Sequence, residues 1–437
     1  MNCEGLVKFR QSTYEFLGKA KDATFELMDA VLLTRSVSSF VELSMSPVFR
    51  RQWSSIYEAL EDTRPQRKNL RKLYIKQIPQ SGEKRVLLAG DHTDWARPEA
   101  LKLRERTYEH CTQPIGGGKP VTIGQGYSTL AWIPESEGSW GLPLVHQRIT
   151  SFETPLSKGA FQLRQVCKEL QVRPVSVWDS EYGNASFVNQ TADIKADKVL
   201  RVRPNRCLWG EPPVYSGRGR PRKHGDKFKL NDKSTWSSPQ QSLEIDDPSW
   251  GKVNLQHFPQ LHFRRSPTVK MELLCISRHS STLSEKKCQP MWLVWIGQTL
   301  PPLQDVWHYY LRRFAVDHWN RFVKQRLHWT LPQFGTPQQC QRWSDLMPIM
   351  TWQLWLAREI VIDNPLPWQK LNPPSRLTPG RVAQSFGSLL ALIGTPAVAP
   401  KPRGKSPGWL KGQKRRKKPP CPVVKKGFSR SKKRKSG

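Results

Sequence analysis

Acidic residues are scarce in this chain. Its 437 residues include 36 Asp and Glu against 70 Lys and Arg, a formal charge of +34. A surface so cationic gains free energy by releasing counterions from a polyanion, so nucleic acid is the expected partner. Long apolar runs are also missing. The best candidate, residues 389–399, is broken by Gly394 and Pro396 and falls short of the ~20 residues that span a bilayer. No membrane partner is therefore expected. Glu4, Lys8 and Arg10 open the chain without an apolar stretch, so no secretory leader is expected. The eight cysteines (3, 111, 167, 207, 275, 288, 340 and 421) never approach CxxC spacing, which argues against a zinc ribbon and a disulfide framework. A reducing, cytoplasmic compartment follows. Bulk is not lacking: 18 Trp and 16 Phe can fill a sizeable core, spread over about two to four domains.

Patterning divides the chain. Residues 1–80 read as helical and DNA-binding, with Phe16, Phe25, Leu27, Met28, Val31 and Leu32 at helix-like spacing. A Ser/Pro break at 38–47 precedes a second helical pattern, 48–60, with Arg50, Arg51 and Gln52 near its start. That order suits a helix-turn-helix, or a plain helical pair packed on a neighbour. Residues 81–206 alternate strands (85–90, 123–133, 144–149, 175–178, 199–203) with a helix at 158–170, an α/β pattern. Residues 207–290 are rich in Pro, Gly, Trp and Ser and read as a β-rich insertion. Residues 291–365 return to a strand (291–296) and long helices (306–328, 343–362), followed by a helical segment at 366–400. Residues 401–437 carry 16 Lys and Arg and no acid, so they cannot bury enough surface to fold alone and read as a disordered basic tail.

In so basic a chain the well-placed acids matter. Asp91 and Asp179 each follow an expected strand, where α/β proteins collect catalytic side chains, and two such carboxylates suit a divalent metal. In the 306–328 helix, Tyr310, Arg313, Asp317 and Lys324 fall at about 0°, 300°, 340° and 320° at ~100° per residue. One face thus offers a carboxylate among cations. That suits phosphodiester chemistry, or equally a salt-bridge ladder on a solvated helix. His92, Asp94 and Glu181 read as turn or supporting residues, and His318 as a packing residue.

The spacing Tyr310-x2-Arg313-x3-Asp317-x6-Lys324 resembles the Y-R-E-K signature of bacterial insertion-sequence DDE transposases. Asp91 and Asp179 fall where that family places its first two acids on an RNase H-like core. Asp179-x2-Tyr182-x4-Phe187 resembles the family's D-x2-Y-x4-F, and Arg201-x-Arg203-x2-Arg206 its basic segment after the next strand. The likeness is detailed over about 90–380. One position departs from it: Asp317 stands where Glu is commoner, one methylene shorter.

The resemblance implies an α/β, RNase H-like mixed sheet with a β-rich insertion, a helical N-terminal domain and a basic tail. It implies Asp91, Asp179 and Asp317 as catalytic metal ligands for two Mg²⁺ (or Mn²⁺) ions that clamp an in-line displacement. Tyr310, Arg313 and Lys324 would grip phosphates, and Trp209, Trp236 and Trp250 are candidates to stack a flipped base. The segment Arg218-Gly-Arg220-Pro resembles an AT-hook, with a basic loop on phosphates as the plainer alternative. The implied activity is cut-and-paste transposition: hydrolysis at element ends, then strand transfer into target DNA. The partners would be double-stranded DNA and a second copy in a synaptic homodimer, in a nucleoid-associated bacterial protein with no small-molecule substrate. Two alternatives stand beside it: a decayed copy that only binds DNA, and a metal nuclease without strand transfer.

Overall fold

The computed structural model describes residues 3–80, 85–110, 120–217, 219–278, 289–402, 404, 408, 410–414 and 418–426. Strand β1 (Leu87–Ala96) lies antiparallel to β3 (Val121–Trp132) and parallel to β5 (Val175–Trp178), which is parallel to β6 (Asp197–Val202). The outer side of β3 is shared by two antiparallel neighbours, β2 (Thr107–His110) and β4 (Leu142–Ile149). The order β4-β3-β1-β5-β6, three antiparallel strands then two parallel ones, is that of an RNase H-like core, as expected. β1 is longer than its apolar run suggests. Its polar half, Asp91–Ala96, stays in the ladder because β3 pairs with it as far as Gly124.

The insertion does not form a sheet of its own. β12 (Met291–Ile296) pairs antiparallel with β6, and β11 (Ser266–Arg278) and β10 (Gly251–Phe263) follow as a long hairpin. β9 (Gln241–Asp247) and β7 (Cys207–Trp209) pair with β10, and β8 (Lys227–Lys229) with β7. Among the described residues a single 12-stranded sheet results.

Alternation along β1 and β5 sends Leu88 and Trp178 to one face and Leu87, Ala89, Val175 and Val177 to the other. On the first face packs α6 (Pro155–Cys167), started by a Thr154–Ser157 capping box, with α7 (Ala185–Gln190), capped by Asn184. The same core takes in α1 (Glu4–Phe16), α2 (Lys21–Leu33), α3 (Phe40–Leu43), α4 (Ser54–Asp62) and α5 (Arg67–Ile75). The opposite face is covered by α8 (Leu303–Arg312) and the start of α9 (Phe314–Gln325), through Val306, Trp307, Tyr310, Ala315 and Val316. The expected single helix over 306–328 is therefore two, joined at Arg313. Two further helices, α10 (Pro337–Ala357) and α11 (Pro379–Ile393), return to the first core.

The helix-turn-helix expectation needs correction. α4 starts at Ser54, so Arg50 and Arg51 precede it, and both pair with the buried Glu26 carboxylate of α2 at 2.6 and 3.2 Å. Their other donors reach the Ala397 and Val398 carbonyls. Within the basic tail, residues 421–426 lie along β2: Val424 bridges Thr107, and Lys426 Nζ pairs with the buried Glu109 carboxylate at 2.5 Å. Among the described residues no helix is long and apolar enough to cross a membrane.

Candidate active site

Register brings the first two acids together. Gly90 pairs with Trp178 at the end of the parallel β1–β5 ladder, so Asp91 and Asp179 are the next residues on strands ~4.8 Å apart, on the same face. Gly90 is required there: a Cβ would lie 2.0 Å from the Trp178 ring. The chain turns sharply after Trp178, with Tyr182 N–H donating to the Asp179 carbonyl and Glu181 N–H to Asp179 Oδ1 at 3.0 Å. Tyr182 and Phe187 pack their rings on Trp178 and on each other, centroids 4.7 to 5.1 Å apart, which fixes the turn. The D-x2-Y-x4-F spacing thus has a structural reason. His92, on the other face from Asp91, approaches Glu181 at 3.4 Å and meets the Tyr182 ring edge-on.

α9 supplies the third acid. Arg313, at the α8–α9 junction, donates through Nη2 to Asp317 Oδ2 at 2.9 Å and lies 3.9 Å from Asp91 Oδ2. Asn320 Nδ2 also reaches Asp91 Oδ2, at 3.4 Å. One turn on, Lys324 Nζ donates to Thr93 Oγ1 at 2.8 Å and lies 3.9 Å from Asp94 Oδ1. Asp91, only 8% exposed, has its carboxyl pushed well above the usual range. Burial is the main cause; Arg313 opposes it, while the carboxylates of Asp317 and Asp179 add to it and Asp317 also shares a hydrogen bond. Burial alone would lower the Arg313 guanidinium, but Asp317 and then Asp91 hold it above its ordinary value. Three carboxylates share one small region, and one guanidinium only partly offsets them.

That donor set has the chemistry for a hard divalent cation: carboxylate oxygens, those of Asp91 buried, with a shortfall of positive charge. Among the described residues no three of His, Cys, Asp and Glu are already gathered as a ligand cage. Asp317 instead faces Arg313. The fit is one of oxygen chemistry and charge.

Other expected site residues are placed differently. Tyr310 is 1% exposed and packs in the apolar core beneath α8, so it does not offer its phenol to a phosphate at the surface. His318 is exposed and does not pack. Trp236 packs among Phe228, Phe258 and Trp292, and Trp250 edge-on against Trp307. Trp209 differs: it lines a groove of about 370 Å³ with Asn205, Arg206, Lys227, Lys229 and Arg264. Lys227 and Arg264 lie 5.3 and 5.8 Å from its ring centroid. Arg201, Arg203 and Arg206 are exposed, as is Arg220, while Arg218 lies outside the described residues.

Asn320, Thr93, Lys227 and Arg264 escaped the sequence. Asn320 had a signal, since it stands three residues after Asp317 and four before Lys324 on the same helical ladder. Lys227 and Arg264 had none; they meet Arg206 only because β7 lies between β8 and β10.

Residues 14–257, more than half of the chain, match the family described as DDE superfamily endonuclease. The protein belongs to that family. The match includes Asp91 and Asp179 and stops before α8 and α9. No individual curated protein matches it.

Proposed function

We propose that this protein is a DNA transposase of the insertion-sequence type, a homodimer on DNA that cuts its element's ends and joins them to a target. The observation that supports this most is the meeting of Asp91, Asp179 and Asp317 from two strand ends and a helix. Asp91, Asp179 and Asp317 would hold Mg²⁺ or Mn²⁺, two ions in the full site. Bound there, the ions would polarise the scissile phosphate and lower the pKa of an attacking water.

The remaining work falls to the chain's own side chains. Arg313 pairs with Asp317 and lies beside Asp91 in the free protein, which partly offsets the repulsion between these carboxylates. Lys324 holds Thr93 and Asp94 and so fixes the polar half of β1 beside the reacting phosphate. Arg201, Arg203 and Arg206 line an exposed cationic path from the end of β6 to the Trp209 groove, suited to phosphates and to one stacked base. The basic tail adds affinity without sequence information.

The test is cleavage of a duplex carrying the element's end in Mg²⁺. Asp91→Asn or Asp179→Asn should lower cleavage at least ~1,000-fold and leave binding within a few fold, because these acids hold metal and not DNA. Full cleavage by either variant would refute the assignment. Cleavage by the parent protein without joining to target would identify a nuclease.

A further inference from the structure

Asn320 is 8% exposed, and its side chain is half satisfied: Nδ2 donates to Asp91 Oδ2 at 3.4 Å, while Oδ1 is buried with no hydrogen-bond partner. A buried amide oxygen without a donor is costly, and beside a group of carboxylates it is one that a cation can satisfy. Its position is specific. Residues 313, 317, 320 and 324 advance by four, three and four, so Asn320 shares the helix face of Arg313, Asp317 and Lys324. Asp317 and Asn320 approach Asp91 from successive turns, the first by its electrostatic and hydrogen-bond contact, the second by its amide. Asp317 is also a short side chain, whose carboxylate stays close to α9. An uncharged oxygen on the next turn of α9 would add a hard donor beside Asp91 without adding a fourth negative charge to the three carboxylates.

We infer that Asn320 is a fourth ligand of the site, its Oδ1 accepting the divalent cation alongside Asp91 and Asp317. The inference rests on the metal-dependent role proposed above. It assigns to Asn320 a cost in the free protein and a gain in the loaded one. A donor that merely braced Asp91 would show the reverse.

The experiment measures Mn²⁺ binding to the full chain without DNA, by titration calorimetry, and the melting temperature with and without Mn²⁺. The variants are Asn320→Ala, Asn320→Asp and, as a control on the parent reading, Asp91→Asn. Expected for Asn320→Ala are Mn²⁺ binding weakened about tenfold or more, a metal-free melting temperature unchanged or raised, and a smaller upward shift on adding Mn²⁺. Asn320→Asp keeps an oxygen and should bind Mn²⁺ at least as tightly as the parent. Unchanged binding in Asn320→Ala, or equal loss in Asn320→Asp, would overturn the role of Oδ1. A lowered metal-free melting temperature with unchanged Mn²⁺ affinity would make Asn320 a brace for Asp91 instead. Asp91→Asn separates the two levels. If it abolishes binding while Asn320→Ala does not, only the inference about Asn320 falls. If it leaves binding intact, the metal site itself is misplaced.

Discussion

Burial pushes the His146 imidazole down to about 3, and the Lys324 ammonium adds to the effect. The ring sits between Tyr127, Trp319 and Trp329 and shares a 2.9 Å hydrogen bond with Thr129 Oγ1 through Nδ1, while Nε2 is buried without a partner. The folded protein therefore binds a proton here less readily than the unfolded chain, whose histidine titrates near 6.5. Stability from this residue is complete above that value and falls as the pH drops toward 3. At pH 5 the loss should be about 2 kcal/mol relative to pH 8. Denaturant titrations of His146→Phe should show a flatter pH dependence by that amount over pH 5–8; an unaltered slope would mean the imidazole is not held neutral. Residues at this scale were legible where their chemistry is local. Asp91, Asp179 and Asp317 stand out as acids in a basic chain. Arg50 and Arg51 mislead, because the Glu26 carboxylate that neutralises them lies 24 residues before Arg50 and only folding brings it near.

Between elements, the contact that aligns the site is Gly90 against Trp178. Gly90→Ala would place a methyl 2.0 Å from a fully buried indole whose next residue is Asp179. Overpacking of this kind should cost about 3 kcal/mol and shift Asp179 away from Asp91, so activity should fall further than stability. Urea melts and cleavage rates measured together check this; a stable variant with full activity would show that the β1–β5 register does not set the site. Strands built on apolar residues were readable, and β5 and β12 have the expected ends. The apolar run understates β1 because Asp91-His92-Thr93-Asp94 interrupts it, yet those residues remain paired to β3 while the side chains of Asp91, Thr93 and Asp94 meet α9. Periodicity predicts one helix over 306–328 because both halves keep the same phase. The junction falls at Arg313, the residue that turns toward both Asp91 and Asp317.

At the scale of the whole molecule, charge and topology act together. Residues 427–437 hold 5 of the 16 cations of the 401–437 tail, while residues 421–426 pair with the exposed edge at β2. Removing 427–437 should make DNA binding less salt-dependent, the slope of log K against log salt falling by about 0.9 for each phosphate no longer neutralised. Preference for the element's own ends should survive. Removing 401–437 should flatten the slope further and also uncover β2, an unpaired edge prone to self-association. Binding across a salt series, with light scattering on both truncations, reads each effect; an identical slope would show that the tail does not touch DNA. The joined sheet explains why the insertion was legible as β-rich but not as a continuation of the core. The pairing of β11 with β12 is a long-range contact that no local pattern announces. The cationic groove at Trp209 was hidden for the same reason.

The central claim is that Asp91, Asp179 and Asp317 form one metal-dependent centre. Anomalous diffraction from crystals of the full chain soaked in Mn²⁺ tests it most directly. The account predicts a manganese peak within coordinating distance of Asp91 and at least one of Asp179 and Asp317, absent from Asp91→Asn crystals. Manganese bound only elsewhere, with Asp317 still paired to Arg313 at saturating metal, would contradict it.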